Sequence, residues 1–490
     1  MSENINNSSL KQKTISGFFW SFSDNFANQL IHFIVGIILA RLLSPAEFGL
    51  IGMITIFIAV SESFIDSGFS QALIRKKECT VADFSTVFYF NLVVGILFFM
   101  ILFISAPAIA SFFKEPRLME LVRVLGIVLI IDAITAIQRT ILTRNIDFKL
   151  QTKVSVIATV FSGVVGIAMA FKGFGVWSLV ARTLSQRAMN SLLLWIWNKW
   201  KPKLLFSLRS FKELFSFGSK LLLSGLIDTI YKNVYYLIIG KYFSAQELGY
   251  YTRADSFKNL PSKNLNGIIS RVSFPVLSQL QDDPERLKAG YKKLIKTTMY
   301  ITFILMAGMA ATAEPMINVL IGEKWEPAVP YLQLLCFVGA MYPLHSLNLN
   351  MLNVRGRSDL YLKLEIIKKI LAIPTILIGI IWGIKVMILG MWVNSIISYY
   401  LNSYYSGRLV SYPICEQLED IVPSLYIALF MGVIVFIIGK LIPLGAASAF
   451  LVQILLGSIL IIVISELFKM ESYFFIKETI KAKFKTINNA

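Results

Sequence analysis

The 490 residues are 56% hydrophobic and 16% charged, with a mean hydropathy of +0.67. A soluble chain of this length would form several domains with polar surfaces, and this composition leaves too little polar material to cover them. The net charge of +18 does not signal a nucleic-acid partner, because Lys and Arg gather in the cytoplasmic connections of membrane proteins, where they also meet anionic phospholipid.

The first segment, 1–14, is a polar cytoplasmic tail with no small-residue cleavage site after it, so no cleaved signal peptide is expected. Apolar stretches then recur, each able to cross the hydrocarbon core as a helix. They predict an all-α polytopic membrane protein of about 14 transmembrane helices. Spans one to six fall near 15–40, 48–72, 84–106, 118–142, 154–172 and 174–197 and make an N-lobe over 15–197. A basic linker, 198–215, leads to spans seven to twelve near 216–241, 249–276, 292–313, 329–353, 362–383 and 385–407, a C-lobe over 216–407. A cytoplasmic connection at 408–420, spans thirteen and fourteen within 421–468 and a basic tail at 469–490 follow. Cations crowd alternate connections, as at Arg75, Lys76 and Lys77 and again at Lys199, Lys201 and Lys203. That asymmetry predicts that both termini face the cytoplasm. Trp195, Trp197 and Trp200 lie at an inner end and fit an interfacial belt.

One polar motif is written twice. "ARLLSPAEFGLIGM" (40–53) returns as "GKYFSAQELGYYTR" (240–253), with Arg41 answered by Lys241, Ser44 by Ser244 and Gly49 by Gly249. The copies join spans one to two and seven to eight, which predicts a duplicated fold. Two six-span halves sit parallel in the membrane, related by an axis along its normal, with a site at their interface.

The expected spans also carry charge. Span one has Ser21, Asp24, Asn25, Asn28 and His32 at spacings of three and four, hence one polar face. Span two has Glu62 and Asp66, span four Asp132, span six Arg182 and Arg187, and span seven Asp228 and Lys232. Span eight carries Arg253, Asp255, Lys258, Asn259, Lys263, Asn266 and Arg271 around Pro261 and Gly267. Each charge at the bilayer centre costs roughly 2.5–3.5 kcal/mol, so these groups line water or pair. Asp228 and Lys232 can neutralise each other one turn apart. His32 and His345 read as interior hydrogen-bonding groups, and Asp132 as a helix-packing contact. Arg182, Arg187, Lys258 and Lys263 sit deepest and lack enough acids at helical-neighbour spacing. A cavity with surplus cations suits an anion, because phosphate oxygens accept charge-assisted hydrogen bonds from Arg and Lys. The candidate headgroup ligands are therefore Arg182, Arg187, Lys232, Lys258 and Lys263, with Asn266 for sugar hydroxyls. Asp24, Glu62, Asp66 and Asp228 are the candidate coupling or gating acids for Na+ or H+, and no cofactor is expected.

Enzymatic signatures are missing. Cys79, Cys336 and Cys415 have no metal-site spacing, and neither a GxSxG elbow nor a P-loop occurs. A membrane polymerase or ligase would need a sizeable outer loop, and a cation antiporter would want an acidic cavity; a lipid II flippase is the nearest alternative in function.

"LARLLSPAEFGLIGM" (39–53) is followed by "DSGFSQALIRKK" (66–77), and "IIGKYFSAQELGYYTRADSFKNLP" (238–261) by "RVSFPVLSQLQDDPERLKAGYKK" (271–293). In this order the motifs resemble the polysaccharide transporter family. These are the Wzx-type lipid-linked oligosaccharide flippases of the multidrug/oligosaccharidyl-lipid/polysaccharide (MOP) exporter superfamily. The likeness runs from Gly17 to Gly407 and is strongest to the branch containing the colanic acid exporter. It implies a V-shaped bundle of two six-helix lobes around a cavity lined by spans one, two, seven and eight. It also implies transfer of an undecaprenyl-pyrophosphate-linked repeat unit to the periplasmic leaflet of the bacterial inner membrane, for exopolysaccharide, capsule or O-antigen assembly; the expected mechanism is alternating access by rocking of the two lobes. A polysaccharide polymerase and chain-length machinery are the implied partners. By the same resemblance Arg253 (in "YYTRA") and Arg271 (in "IISRV") meet the pyrophosphate, Arg271 lying near the inner rim.

Overall fold

The computed structural model describes Trp20 and residues 26–66, 68–442 and 445–488, the side chains of 263, 266, 268–272 and 483–488 excepted. Among these residues the regular structure is helical throughout. The first elements are α1 (Phe26–Leu42), α2 (Pro45–Asp66), α3 (Phe69–Arg75), α4 (Val81–Phe113), α5 (Leu118–Leu125) and α6 (Ile127–Arg144). Next come α7 (Phe148–Phe171), α8 (Trp177–Trp197), α9 (Leu208–Tyr242), α10 (Ala245–Gln279), α11 (Pro284–Ala311) and α12 (Ala313–Leu320). The last are α13 (Ala328–Val354), α14 (Ser358–Trp382), α15 (Ile384–Val410), α16 (Ile414–Leu441), α17 (Ala446–Leu467) and α18 (Glu471–Asn488).

Among the described residues the expected spans fall on helices, span one on α1 in the part beyond residue 25, span two on α2 and α3, span four on α5 and α6, and span nine on α11 and the start of α12. Eight helical stretches among the described residues are long and apolar enough to cross a membrane, and the chain is an all-α polytopic membrane protein. The long helices that fall short of that apolarity include α8, with Arg182 and Arg187, and α10, with Asp255 and Lys258, while Glu62 lies on the apolar α2. Hydropathy also under-reads helix length. α9 and α10 have 35 residues each, about 52 Å at 1.5 Å per residue, far more than a hydrocarbon core of about 30 Å. α9 accordingly starts at Leu208 rather than at 216, because the helix continues into polar sequence outside the apolar stretch.

Short polar signals set the helix starts. In the first repeated motif the Ser44 N–H and Oγ donate to Glu47 Oε2 at 2.6 and 2.9 Å. In the second, Ser244 Oγ accepts the Glu247 N–H at 3.0 Å. These are the two halves of a capping box, which explains why serine and glutamate recur three residues apart. Thr80 and Asp83 make both halves at the start of α4, and Asp283 caps α11 ahead of Pro284.

The repeated glycines have a separate cause. A Cβ on Gly49 would lie 1.7 Å from the Ala245 carbonyl oxygen, and one on Gly249 would lie 1.9 Å from that of Pro45. Under the 200-residue offset Pro45 corresponds to Ala245 and Gly49 to Gly249, so the contact is reciprocal. The two copies cross backbone to backbone, and only glycine admits that approach.

The chain divides into two compact units, one up to Gly249 and the other from Tyr250. In the first, α2 and α4 pack on α9, α4 on α6, and α7 on α8. Phe69, Leu73, Val87, Phe88 and Ile137 form a core near one end of this unit. Trp195 and Trp200 stack edge-on to Phe88 there. Both rings are half-buried and pack on this core. In the second unit α11 packs on α13 and α16, α13 and α14 on α15, and α16 on α17. Tyr291, Trp325, Leu335 and Leu344 are fully buried within it.

Candidate functional site: charged groups in the helix interiors

In the first unit the polar residues converge on α8. Arg182 can run along α7 because residue 166 is glycine; a Cβ there would sit 3.0 Å from the Arg182 Cβ. Its guanidinium Nη2 lies 2.8 Å from His32 Nδ1. A guanidinium only donates, so Nδ1 is the acceptor and the imidazole proton resides on Nε2. Gln186, one turn on, donates to Thr159 Oγ1 at 3.2 Å. Thr159 Oγ1 donates to Asn28 Oδ1 at 2.7 Å, and Asn28 Nδ2 donates to Ser155 Oγ at 2.8 Å. The polar face of α1 is thus met by hydroxyls of α7 and side chains of α8, as the interior reading of His32 requires.

Arg187 points elsewhere. Five residues on at about 100° each, it is rotated well away from Arg182 around α8. Its Nη2 lies 3.0 Å from Glu62 Oε1 on α2, and its Nη1 lies 3.2 Å from Asp132 Oδ1 on α6. Asp132 is the more enclosed acid, its side chain 15% exposed against 33% for Glu62. Asp132 Oδ2 is buried without a hydrogen-bond partner among the described residues. Two carboxylates thus share one guanidinium.

In the second unit Lys258 Nζ lies 2.6 Å from Asp255 Oδ1, and Asn259 Nδ2 donates to Asp255 Oδ2 at 2.8 Å. The lysine stem crosses Gly339 of α13, where a Cβ would come within 2.8 Å of Lys258 Cγ. Arg253 is half-buried on the same helix. His345 Nε2 lies 2.8 Å from Ser395 Oγ, and Tyr291 and Ser406 both donate to Asn348 Oδ1.

Several expectations now have positions. Glu62 and Arg187 meet directly. Asp228 and Lys232 pair at 2.6 Å on a mostly exposed part of α9, as their spacing suggested. Asp66 is exposed at the end of α2. Arg187 has no acid at helical-neighbour spacing and takes its two from other helices, which such spacing cannot reveal; for Lys258 the expectation is corrected, since it takes Asp255 three residues earlier. Asp132 is an ion-pair partner and more than a packing contact. Asp24 lies outside the described residues, and so do the side chains of Lys263, Asn266 and Arg271. Among the described residues no three His, Cys, Asp or Glu are grouped to hold a metal ion.

Chemically, a guanidinium flanked by two acids can exchange one of them for a phosphate, since both present oxygens to the same planar donors. Interior charges satisfied by partners on neighbouring helices are what a polytopic membrane protein needs to hold them away from lipid. The solved structures agree at the level of fold. A lipid II flippase MurJ in an inward closed conformation matches with TM-score 0.77 at 17% identity, covering 92% of this chain and 98% of that one. An inward-facing multidrug resistance MATE family transporter of the MOP superfamily matches with TM-score 0.60 at 17% identity, covering 78% and 95%. The chain belongs to the polysaccharide biosynthesis protein family, which matches residues 38–330. Among curated relatives, the teichuronic acid biosynthesis protein TuaB of Bacillus subtilis is 28% identical over 72% of this chain and 73% of its own length. The lipopolysaccharide biosynthesis protein WzxC of Escherichia coli is 26% identical over 87% and 89%.

Proposed function

We propose that this protein carries an undecaprenyl-pyrophosphate-linked oligosaccharide repeat unit from the cytoplasmic to the periplasmic leaflet of the bacterial inner membrane. The observation that carries the reading is Arg187, held inside the first unit by Glu62 and Asp132 on two other helices, in a family of polysaccharide biosynthesis. The incoming pyrophosphate displaces Glu62, the more exposed partner, while Asp132 keeps the guanidinium in place. The released Glu62 is then free to take a proton or Na+, with Asp66 and Asp24 as the further coupling acids. Arg182, Lys232, Arg253, Lys258, Lys263 and Arg271 supply additional positive charge, and Asn266 meets sugar hydroxyls.

Alternating access arises from rocking of the six-span lobes, 15–197 and 216–407, with both termini cytoplasmic and the prenyl tail remaining in lipid. An inside-negative potential favours outward movement of the anionic headgroup by about 2.3 kcal/mol per charge per 100 mV. Depleting the protein in its host should make the lipid-linked repeat unit accumulate in the cytoplasmic leaflet, read by glycan labelling of intact and permeabilised spheroplasts. An unchanged distribution between leaflets rejects the reading.

A further inference from the structure

The connection between α8 and α9, residues 198–207, is pinned along its backbone yet exposes large apolar side chains. Gln138 Nε2 donates to the Trp200 carbonyl at 3.1 Å, and Asn198 Nδ2 donates to the Gln138 carbonyl at 3.2 Å. The Lys203 N–H donates to Ser85 Oγ at 3.1 Å and the Ser207 N–H to Thr86 Oγ1 at 2.9 Å, both acceptors being fully buried. The Trp200 ring lies against Phe84 and Phe88. Between these anchors Leu204 is 92% exposed, followed by Leu205, Phe206 and, at the first residue of α9, Leu208, all exposed. A connection held in this way cannot turn those side chains inward, and water alone is a poor environment for four of them in a row.

The charges around them are of one sign. Lys199, Lys201, Lys203, Arg209 and Lys212 are all exposed, and the one acid between 198 and 215, Glu213, is paired with Lys76 Nζ at 3.1 Å. Apolar groups interleaved with cations are what a bilayer interface accepts, with acyl chains below and lipid phosphates above. A protein partner fits less well, because lysine is depleted in protein interfaces. The same end of the unit has other membrane-surface features: Lys153 Nζ lies 4.8 Å from the Trp197 ring centroid and Lys149 Nζ lies 5.6 Å from that of Trp20.

We propose that residues 201–212 form an interfacial anchor. Leu204, Leu205, Phe206 and Leu208 insert into one leaflet while Lys201, Lys203, Arg209 and Lys212 bind the phosphates of anionic phospholipids. This inference concerns a surface distinct from the transport site and stands whether or not the cargo is a lipid-linked glycan.

The test places the photocrosslinker p-benzoylphenylalanine at position 204, and in a second variant at 206, of the full chain in phosphatidylcholine nanodiscs with or without phosphatidylglycerol. Adducts are read by mass spectrometry. At 92% exposure the Leu204 side chain has no packing to lose, so that variant keeps the fold. Lipid adducts at both positions, enriched in phosphatidylglycerol, are expected, with none from a probe at Asp282 in the polar turn before α11. Replacing Lys201, Lys203, Arg209 and Lys212 together with Gln should lower the phosphatidylglycerol share by roughly fivefold or more while lipid adducts persist. Water-quenched probes without lipid adducts overturn the proposal, as does crosslinking in whole membranes to another polypeptide in place of lipid.

Discussion

Arg187 is where the interior chemistry concentrates, and its energetics separate pairing from mere presence. Removing one member of an interior ion pair leaves an uncompensated charge, while removing both partners is much milder. Arg187→Gln leaves Glu62 and Asp132 without their shared cation and should destabilise the protein by about 1–3 kcal/mol, near the low end because the arginine is a third exposed. Arg187→Gln combined with Asp132→Asn should recover part of that loss in thermal unfolding of the purified protein. Strict additivity of the two substitutions would show that the acid and the base do not act as a pair. Glu62 and Arg187 were legible in the sequence because a charge inside an apolar run is conspicuous. Their direct pairing, and the second acid Asp132 on the same guanidinium, were not, since the rotational register of α2, α6 and α8 is set by packing and leaves no trace in the spacing of any one helix.

Between elements, the contacts are of two kinds, backbone crossings and charged seams. At the crossing of the repeated motifs, Gly49→Ala would drive a methyl into the Ala245 carbonyl and should cost about 1–3 kcal/mol or more. Gly225→Ala in α9, where nothing lies within 4 Å of the new Cβ, should be neutral or stabilising by up to about 1 kcal/mol. Equal melting temperatures for the two variants would refute the crossing. The charged seam joins α11 to α16 and α18. Lys288 pairs with Glu416 at 2.7 Å, Lys292 with Glu416 at 3.2 Å and Asp420 at 3.0 Å, and Lys296 with Glu471. The lysines recur every four residues, so they form one stripe on α11. Lys292→Glu should loosen α16, seen as faster trypsin cleavage after Arg408 in the last turn of α15, and adding Asp420→Lys should restore protection. No change in cleavage for the single variant would reduce the seam to decoration. Nothing in the sequence around Lys288 and Lys292 announces these pairs, because the acids that bind them lie more than a hundred residues away. The capping serines, by contrast, were visible as a repeat before their hydrogen bonds gave the reason.

For the whole molecule, the helical class and the family were readable from apolar run length and from the ordered motifs between 39 and 293. Those signals are local and survive in a single chain. The helix ends were less legible, because hydropathy reports the stretch that meets lipid and not the longer helix that continues past it. The direct measurement is reconstitution of the purified protein in liposomes with a fluorescent undecaprenyl-pyrophosphate-linked oligosaccharide, following the headgroup with a membrane-impermeant quencher. Lipid II and a hydrophobic cation serve as competing cargoes. The account predicts protein-dependent transfer of the lipid-linked oligosaccharide, accelerated by an inside-negative potential and abolished by Arg187→Gln in a variant that still folds. Transfer at the rate of empty liposomes, or transfer undiminished in the folded Arg187→Gln protein, would contradict it.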